Sequence, residues 1–294
     1  MTAPSYRGDE AAVAWASPID DETPRPRRAG RLLVPVAGWA LGLLWVAPLL
    51  LLAWAAFHPG GEALRFSFEA RWGFENFHEA WQVAPFARYL FNTVAIVTLL
   101  LALQLVVCTL AGYALARMEF RGRGLVFALV LLQLMVMPEV LIVENYMTIA
   151  RLGQIDRYLG VALPYVASAF GIFLLRQTFM TVPQELEDVA RIEGLSRLAI
   201  LLKVYVPLAK PTYLAYGLVS ISYHWNNFLW PLVATNTEAS RPVTVGMALF
   251  AAPETGVDWG VLSAGTLLAV GPLLLAFLLF QRQFMQSFMN AGIK

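Results

Sequence analysis

The sequence predicts an all-α integral membrane protein with six transmembrane helices. Of its 294 residues, 59% are hydrophobic and only 14% are charged, and the mean hydropathy is +0.61. Apolar runs recur along the chain, and several reach the roughly 20 residues that a helix needs to cross the hydrocarbon core. Because a spanning segment must satisfy its own backbone hydrogen bonds in lipid, these runs predict helices.

Six apolar runs are long enough to be treated as membrane spans. Polar or charged segments separate them, so each run is one predicted crossing. The predicted spans are Leu32–Phe57, Tyr89–Ala116, Leu125–Tyr146, Tyr158–Phe179, Pro211–Val233 and Gly260–Phe280.

The distribution of positive charge orients these spans. Cytoplasmic loops retain an excess of Lys and Arg. With the N-terminus inside, six of the 21 Lys and Arg residues fall outside and the other 15 fall inside. Both termini are therefore predicted to be cytoplasmic. The outer set is Arg65, Arg71, Arg88, Arg151, Arg157 and Arg241.

The first 30 residues differ in composition from the rest of the chain. They contain the polar, proline-rich stretch DDETPRPRR and lack the apolar core of a cleavable signal peptide. This composition predicts a disordered cytoplasmic tail over residues 1–30. Residues 31–294 are the predicted transmembrane domain.

Composition also disfavours several functions. A net charge of +1 offers no basic stripe for nucleic acid, and the lone Cys108 has no disulfide partner. The chain has no G-x-x-x-x-G-K-[ST] loop, so we expect no ATP site here, and we expect no metal site. A membrane enzyme is disfavoured because only three histidines, His58, His78 and His224, are available.

A charged stretch, ELEDVARIEGLSRLAILLKVYVPLAKP, separates the fourth and fifth predicted spans. Thr181 and Gln184 have the spacing of a capping box that starts a helix. Acidic residues follow in the first turns, where they suit the helix dipole. Ala190 and Gly194 lie one turn apart, and this spacing predicts a spot without side-chain bulk where another protein surface could approach.

A second helix is predicted on the other side of Gly194, which can break the first. It begins near Ser196 and is expected to end at Pro207 and Pro211. The residues alone favour two interpretations of this helix–turn–helix equally. It is either a functional handle on the cytoplasmic face or an interfacial loop that only joins two spans.

The spacing of this stretch resembles a known motif. Asp188-Val189-Ala190, then Gly194, then Val206-Pro207 are similar to the EAA loop of permease subunits in binding-protein-dependent ABC importers. Further stretches resemble the carbohydrate branch of that family, the maltose-type second permease, and two of them look closest to glycerol-phosphate permeases. The stretches are NTVAIV, AGYALARMEFRGR, FLLRQTFMTVPQELEDVARIEG, WNNFLWPL and QRQFMQSFMNAGIK.

The resemblance implies the type I ABC importer permease fold in a bacterial inner membrane. It implies a coupling (EAA) helix at about 184–206 that docks on a cytoplasmic ATPase. The residues assigned to coupling are Glu187, Asp188, Val189, Ala190, Arg191, Glu193, Gly194 and Pro207.

The same resemblance implies the partners. They are a second permease, two cytoplasmic ATPase subunits that carry ATP and Mg²⁺, an extracytoplasmic solute-binding protein and membrane lipid. This chain would be non-catalytic and would bind no cofactor itself. The loop from Asn236 to Trp259 is expected to face the binding protein.

Polar residues within the spans are the candidates for a substrate pathway. Counted from Leu125 and Pro211, Glu139 and Trp225 lie at equal depth, roughly 21 Å at 1.5 Å per residue. An ionisable group at that depth usually faces a cavity, and Pro138 predicts a kink. The candidates are Glu139, Glu144, Asn145, Tyr146, Trp225, Asn226 and Trp230.

Other readings stay open at this stage. Asn226 and Asn227 would also suit packing between spans, and Trp225 and Trp230 would suit an interfacial belt. His224 is interpreted as a packing or hydrogen-bonding residue. An anion held by the permease is disfavoured because no Lys or Arg lies deep in a span, whereas the glutamates would tolerate a neutral polyol or a cationic head group. On family resemblance, glycerol 3-phosphate or a glycerophosphodiester is the alternative. A proton-coupled secondary carrier, prompted by the glutamates, is the alternative of another class.

Overall fold

A computed structural model describes residues 28–58, 71–248 and 258–292. The chain divides into two compact units, Met1–Leu50 and Leu51–Lys294. In the first unit the described residues form the start of helix α1, whose side chains Trp39 and Trp45 are 75% and 82% exposed, as expected for a helix in lipid. Residues 1–27 of the predicted tail lie outside the described residues.

The described residues form helices throughout. Three helices are long and apolar enough to cross a membrane, and three further pairs pass the same test as bent spans, so the count reaches six if each pair is one span. The helices are α1 Arg28–Phe57, α2 Glu75–Val83, α3 Phe86–Arg117, α4 Arg123–Gln133, α5 Ile142–Arg151, α6 Tyr158–Ala162, α7 Ala169–Thr181, α8 Gln184–Ile192, α9 Arg197–Ile200, α10 Val206–Leu208, α11 Lys210–Trp225, α12 Leu229–Ala234, α13 Val243–Ala248 and α14 Trp259–Gly292.

The predicted third span is corrected by the structure, because the chain bends within it. Leu125–Tyr146 is not one straight helix, because the chain turns by 94° between α4 and the segment Pro138–Arg151. Pro138 starts a 3₁₀ turn, and Met137 before it is extended, with φ −68° and ψ 131°. A residue that precedes proline is pushed out of the helical region, so α4, which ends at Gln133, does not continue past Met137 and a new segment starts at Pro138. The predicted kink is confirmed, and it is sharper than a bend within one helix.

The fourth and fifth predicted spans are also interrupted. The fourth bends by 54° between Tyr165 and Ala169, where Ser168 accepts a hydrogen bond from the backbone N–H of Gly171 at 3.2 Å and caps α7. For the fifth span, the prediction of one helix over Pro211–Val233 is wrong, because α11 ends at Trp225 and α12 begins at Leu229.

The main core lies where α3 packs along α7. Gly112 allows this approach, since a Cβ there would meet the backbone nitrogen of Arg176 at 3.2 Å. Around this contact the buried side chains of Leu175, Phe179 and Tyr205 form one cluster. The cluster therefore joins two spans to the segment that leads into α11.

Candidate functional site

Helix α8 does not begin as predicted. Its N-cap is Pro183, which makes no side-chain capping bond, while the hydroxyl of Thr181 donates to the carbonyl of Thr178 at 2.8 Å. The capping-box prediction is wrong because Thr181 belongs to the last turn of α7, and its side chain bonds backwards.

The end of α8 confirms the prediction that Gly194 breaks the helix. This residue has φ +82°, the left-handed region that glycine enters without a steric penalty. The N–H of Gly194 donates to Arg191 O and the N–H of Leu195 donates to Ala190 O, both at 3.0 Å. These two bonds form a Schellman motif that closes the helix.

The second helix begins near Ser196 and ends at Leu208, between Pro207 and Pro211, as the sequence predicts. The hydroxyl of Ser196 accepts a hydrogen bond from Ala199 N at 3.3 Å. The chain then stays helical through a π turn at Leu201–Tyr205 and through α10. Pro207 lies one residue before the end of α10 at Leu208. The chain turns by 77° only before α11.

One face of α8 is turned into the protein. Glu187 is 3% exposed, and its Oε2 accepts a hydrogen bond of 2.5 Å from the hydroxyl of Tyr205. Its Oε1 accepts one of 2.6 Å from Arg191 Nη2. Ala190 is 5% exposed and packs in the main core. The predicted bare spot at Ala190 and Gly194 is therefore wrong for Ala190, which contacts its own chain.

Arg117 supports this buried face and was not among the predicted residues. Its guanidinium donates to Phe179 O from Nε at 3.2 Å and from Nη2 at 2.9 Å, and Nη2 also donates to Val182 O. Its Cζ lies 5.3 Å from the centroid of the Tyr205 ring. Arg117 thus ties the end of α3 to the end of α7 and to the residue that holds Glu187.

The exposed side of α8 carries three apolar side chains among the exposed acidic residues Glu185, Asp188 and Glu193. Leu186, Val189 and Ile192, at spacings of three, are 44%, 54% and 86% exposed. On the second helix, the apolar side chains of Leu198 and Leu202 are 57% and 56% exposed. Hereafter these five residues are called the α8 surface. The predicted coupling residues Asp188, Arg191, Glu193 and Gly194 are exposed as well.

A cleft of about 450 Å³ lies among α3, α7, α11 and the bend after α4. Asn145 is the one predicted pathway residue that lines it. The polar and aromatic residues that line the cleft are Gln104, Gln133, Asn145, Tyr165, Ser168, Phe170, Tyr216, Ser220, Tyr223 and His224.

A smaller cavity of about 10 Å³ adjoins the cleft. It brings three predicted pathway residues together, Glu139, Asn145 and Trp230, and it adds Tyr165 and Asn227. Asn227 donates to the hydroxyl of Tyr165 at 3.0 Å. The two spans that sequence analysis placed at equal depth therefore do meet, although the bend of 94° makes the straight-helix depth of Glu139 wrong.

The remaining predicted pathway residues lie elsewhere. Trp225 is 8% exposed and donates from Nε1 to Ala269 O on α14 at 3.2 Å. Asn226 donates to Ser222 O at 2.8 Å. Glu144 and Tyr146 are exposed and line neither cavity.

A buried glutamine organises the floor of the cleft. Gln104 is 2% exposed. Its Nε2 donates to Tyr165 O at 2.9 Å and lies 3.2 Å from His224 Nε2. Its Oε1 accepts from Ser220 at 2.6 Å. This network joins α3, the bend before α7 and α11, and it confirms the interpretation of His224 as a hydrogen-bonding residue.

At the opposite end of the protein from α8, Asp156 holds the loop at 235–242. It accepts hydrogen bonds from the N–H groups of Asn236 at 2.8 Å and Thr237 at 3.0 Å, and from the Thr237 hydroxyl at 2.7 Å. The hydroxyl of Ser240 donates to it as well. Burial alone would raise the pKa of Asp156, but these hydrogen bonds outweigh it and lower the pKa from 3.8 to about 2.

The bent spans, the helix–turn–helix between α7 and α11 and the cleft define a multi-pass helical membrane permease. No protein-family model matches the chain. Individual related proteins do match the chain. AraQ, an arabinooligosaccharide transport permease of Halalkalibacterium halodurans, is 31% identical over 273 residues, which cover 88% of this chain and 98% of AraQ. The chain therefore belongs to the permease subunits of ABC sugar transport systems.

Two further relatives show the range of solutes in this family. NgcG, a diacetylchitobiose uptake permease of Streptomyces coelicolor, is 33% identical over 83% of this chain and 84% of its own length. UgpE, an sn-glycerol-3-phosphate permease of Pectobacterium atrosepticum, is 33% identical over 75% of this chain and 80% of its own length.

The fold is shared with a solved structure. One chain of a bacterial ABC transporter that imports the acidic polysaccharide alginate superposes with a TM-score of 0.78 and 21% identity. The match covers 89% of this chain and all of that one. The predicted all-α permease fold is confirmed.

Proposed function

We propose that this chain is a transmembrane subunit of an ATP-driven importer for a sugar or sugar-like solute. Two identical or related permeases would form the pathway, and ATP with Mg²⁺ would bind on two partner ATPase subunits. A solute-binding protein outside the cell would deliver the solute. Family membership supports the sugar-permease assignment, while the coupling and the partners are proposals.

The observation that carries the coupling proposal is the contrast between the two faces of α8. The inner face is fixed by the bonds of Glu187 and by the packing of Ala190. The α8 surface is exposed and apolar, with Ile192 at 86%. An exposed apolar patch of this kind on a rigid helix suits a protein partner, and the fixed inner face would pass the partner's movement to α7 and α11.

The orientation proposed from the charge distribution fits this arrangement. With both termini in the cytoplasm, α8 lies on the cytoplasmic side, where an ATPase would reach it. The loop at 235–242 then lies outside, where Asp156 holds it in one conformation. That loop is the beginning of the proposed contact for the solute-binding protein, Asn236–Trp259, of which residues 249–257 lie outside the described residues.

A pull-down tests the ATPase contact. Val189→Glu places a charge in the centre of the α8 surface and is expected to remove a co-purifying ATPase subunit in mild detergent. Val83→Glu is the matched control, since Val83 is 64% exposed on α2 and lies outside the α8 surface. Equal recovery of the ATPase with both variants would contradict coupling through α8, and a chain that never recovers an ATPase would favour the secondary carrier.

The solute itself is tested with a fixed panel. It consists of arabinotriose, lactose, diacetylchitobiose and sn-glycerol 3-phosphate, offered to the assembled complex with its binding protein in proteoliposomes. ATP-dependent uptake of a saccharide supports the leading proposal. Uptake of sn-glycerol 3-phosphate alone would support the second candidate, which the UgpE relative favours.

A further inference from the structure

The cleft is built where spans are broken. Its lining includes Leu134 and Val136 from the 94° bend and Ala167 and Ser168 from the 54° bend. Irregular backbone at membrane depth is tolerated where it is buried in protein or lines an aqueous cavity. Gln133 joins the two bends, because its Nε2 donates to Ala167 O at 3.2 Å. Two broken spans around one cleft are the arrangement by which transporters form solute sites.

The chemistry of the lining is uniform. Amide, hydroxyl and aromatic side chains line the cleft together with aliphatic ones, and none of the lining residues is Lys, Arg, Asp or Glu. One carboxylate, that of Glu139, lines the adjoining small cavity. A phosphate ester would need a cation, whereas this site offers none and has a carboxylate beside it.

Some polar groups in the cleft are occupied and others are available. Gln104 and Ser220 bond each other at 2.6 Å, so they shape the floor. Among the described residues, the amide of Asn145 and the hydroxyl of Tyr223 make no hydrogen bond, and Tyr223 is 50% exposed. Its ring stands at 90° to that of His224, with 5.0 Å between centroids. A saccharide presents hydroxyl groups for the amide and an apolar ring face for the aromatic side chain.

We propose that this cleft is the chain's own solute site and that it takes uncharged saccharides in preference to phosphate esters. The inference rests on the proposed importer function. The volume of the cleft, about 450 Å³, falls within the roughly 300–1,000 Å³ typical of small-molecule sites.

The test measures uptake by the assembled complex of the saccharide that it transports, with loaded binding protein at saturation. Asn145→Ala and Tyr223→Phe each remove one hydrogen-bonding group and should lower the rate about fivefold to tenfold. ATP hydrolysis stimulated by the loaded binding protein should stay unchanged. Asn145→Gln should restore part of the rate. Tyr213→Phe is the control, because its hydroxyl bonds Thr109 at 2.7 Å and it does not line the cleft.

Each other result overturns a different claim. Unchanged uptake in both variants would overturn the proposal that this cleft is a solute site. Uptake of sn-glycerol 3-phosphate without any saccharide would overturn the preference for uncharged solutes and leave the importer intact. Failure of the ATPase pull-down would remove the importer assignment and this inference with it.

Discussion

The hydroxyl of Tyr205 donates a hydrogen bond of 2.5 Å to Oε2 of Glu187. Tyr205 is 0% exposed and Glu187 is 3% exposed, so neither group has water as a substitute partner. The bond joins α8 to the helical segment that leads into α11. The rigid attachment of α8 to the membrane spans therefore depends on this pair, with Arg191 occupying the other carboxylate oxygen.

Removing the hydroxyl should loosen α8. Tyr205→Phe leaves one oxygen of a buried carboxylate without a donor, which costs about 1.5–3 kcal/mol for a bond to a charged group. We expect faster amide hydrogen exchange across Gln184–Ile192 and less solute imported per ATP hydrolysed.

Two controls isolate that effect. Tyr213→Phe breaks a bond between the neutral hydroxyls of Tyr213 on α11 and Thr109 on α3 and should leave exchange in α8 unchanged. In a double-mutant cycle, Glu187→Gln combined with Tyr205→Phe should cost less than the sum of the single changes. Additive costs would show that the two side chains do not depend on each other.

Because Asp156 holds the loop at 235–242, the loop should lose stability in acid, and its stability should not change with pH near neutrality. Its pKa is lowered to about 2 from 3.8. A lowered folded-state pKa contributes stability that is fully present above the ordinary value and is lost as pH falls through about 2. Proteolysis of this loop should therefore be constant from pH 8 to pH 5 and should increase only below about pH 4.

Substitution tests the same contact. Asp156→Ala removes the acceptors of four hydrogen bonds, and we expect the loop to lose about 1 kcal/mol after allowance for solvent exposure. Asp156→Asn keeps one oxygen and should lose less. Asp258→Ala is the control, because Asp258 accepts bonds from Gly260 and Val261 at the start of α14. Equal cleavage of the loop in all three variants would contradict this role.

Gly160 should not tolerate a side chain. A Cβ there would lie 1.9 Å from the carbonyl oxygen of Gln154 and 3.1 Å from Ile149 Cγ2. The backbone oxygen cannot rotate away, so Gly160→Ala should cost at least about 2 kcal/mol. Gly124→Ala is the matched control, since nothing lies within 4 Å of its Cβ. Thermal unfolding in detergent checks both, and equal melting temperatures would refute the close approach.

Hydropathy predicted six spans, a number that the described residues reach only if each bent pair is one span, and it did not predict their shape. The bend at Pro138 was predictable, because proline restricts the residue before it. The bend before Ala169 and the break after Trp225 were missed, since each apolar run was treated as one continuous span in spite of Pro164 near the first and Asn226 and Asn227 at the second. The depth of Glu139 was therefore wrong, because it was counted along a straight helix. Glu139 and Trp230 nevertheless line the same small cavity.

The α8 region shows a second limit of sequence reasoning. The glycine stop was predictable from local chemistry, because only the left-handed conformation closes this helix. Which face is buried was not predictable, since it depends on Tyr205, which lies 18 residues after Glu187 and reaches it through a π turn. Small size alone suggested that Ala190 was exposed, whereas tertiary packing buries it.

Gln104 was missed because it is one polar residue in an apolar helix, where a single amide hardly changes the hydropathy. Gln104→Leu would leave Tyr165 O, Ser220 and His224 without this partner. Bonds between helices in membranes average about 0.6 kcal/mol, so three should cost about 2 kcal/mol. Gln133→Leu, which loses one bond of 3.2 Å on an exposed side chain, should cost less than half as much. Unfolding by SDS titration in mixed micelles measures both, and equal losses would show that the buried network adds nothing to the stability of the cleft.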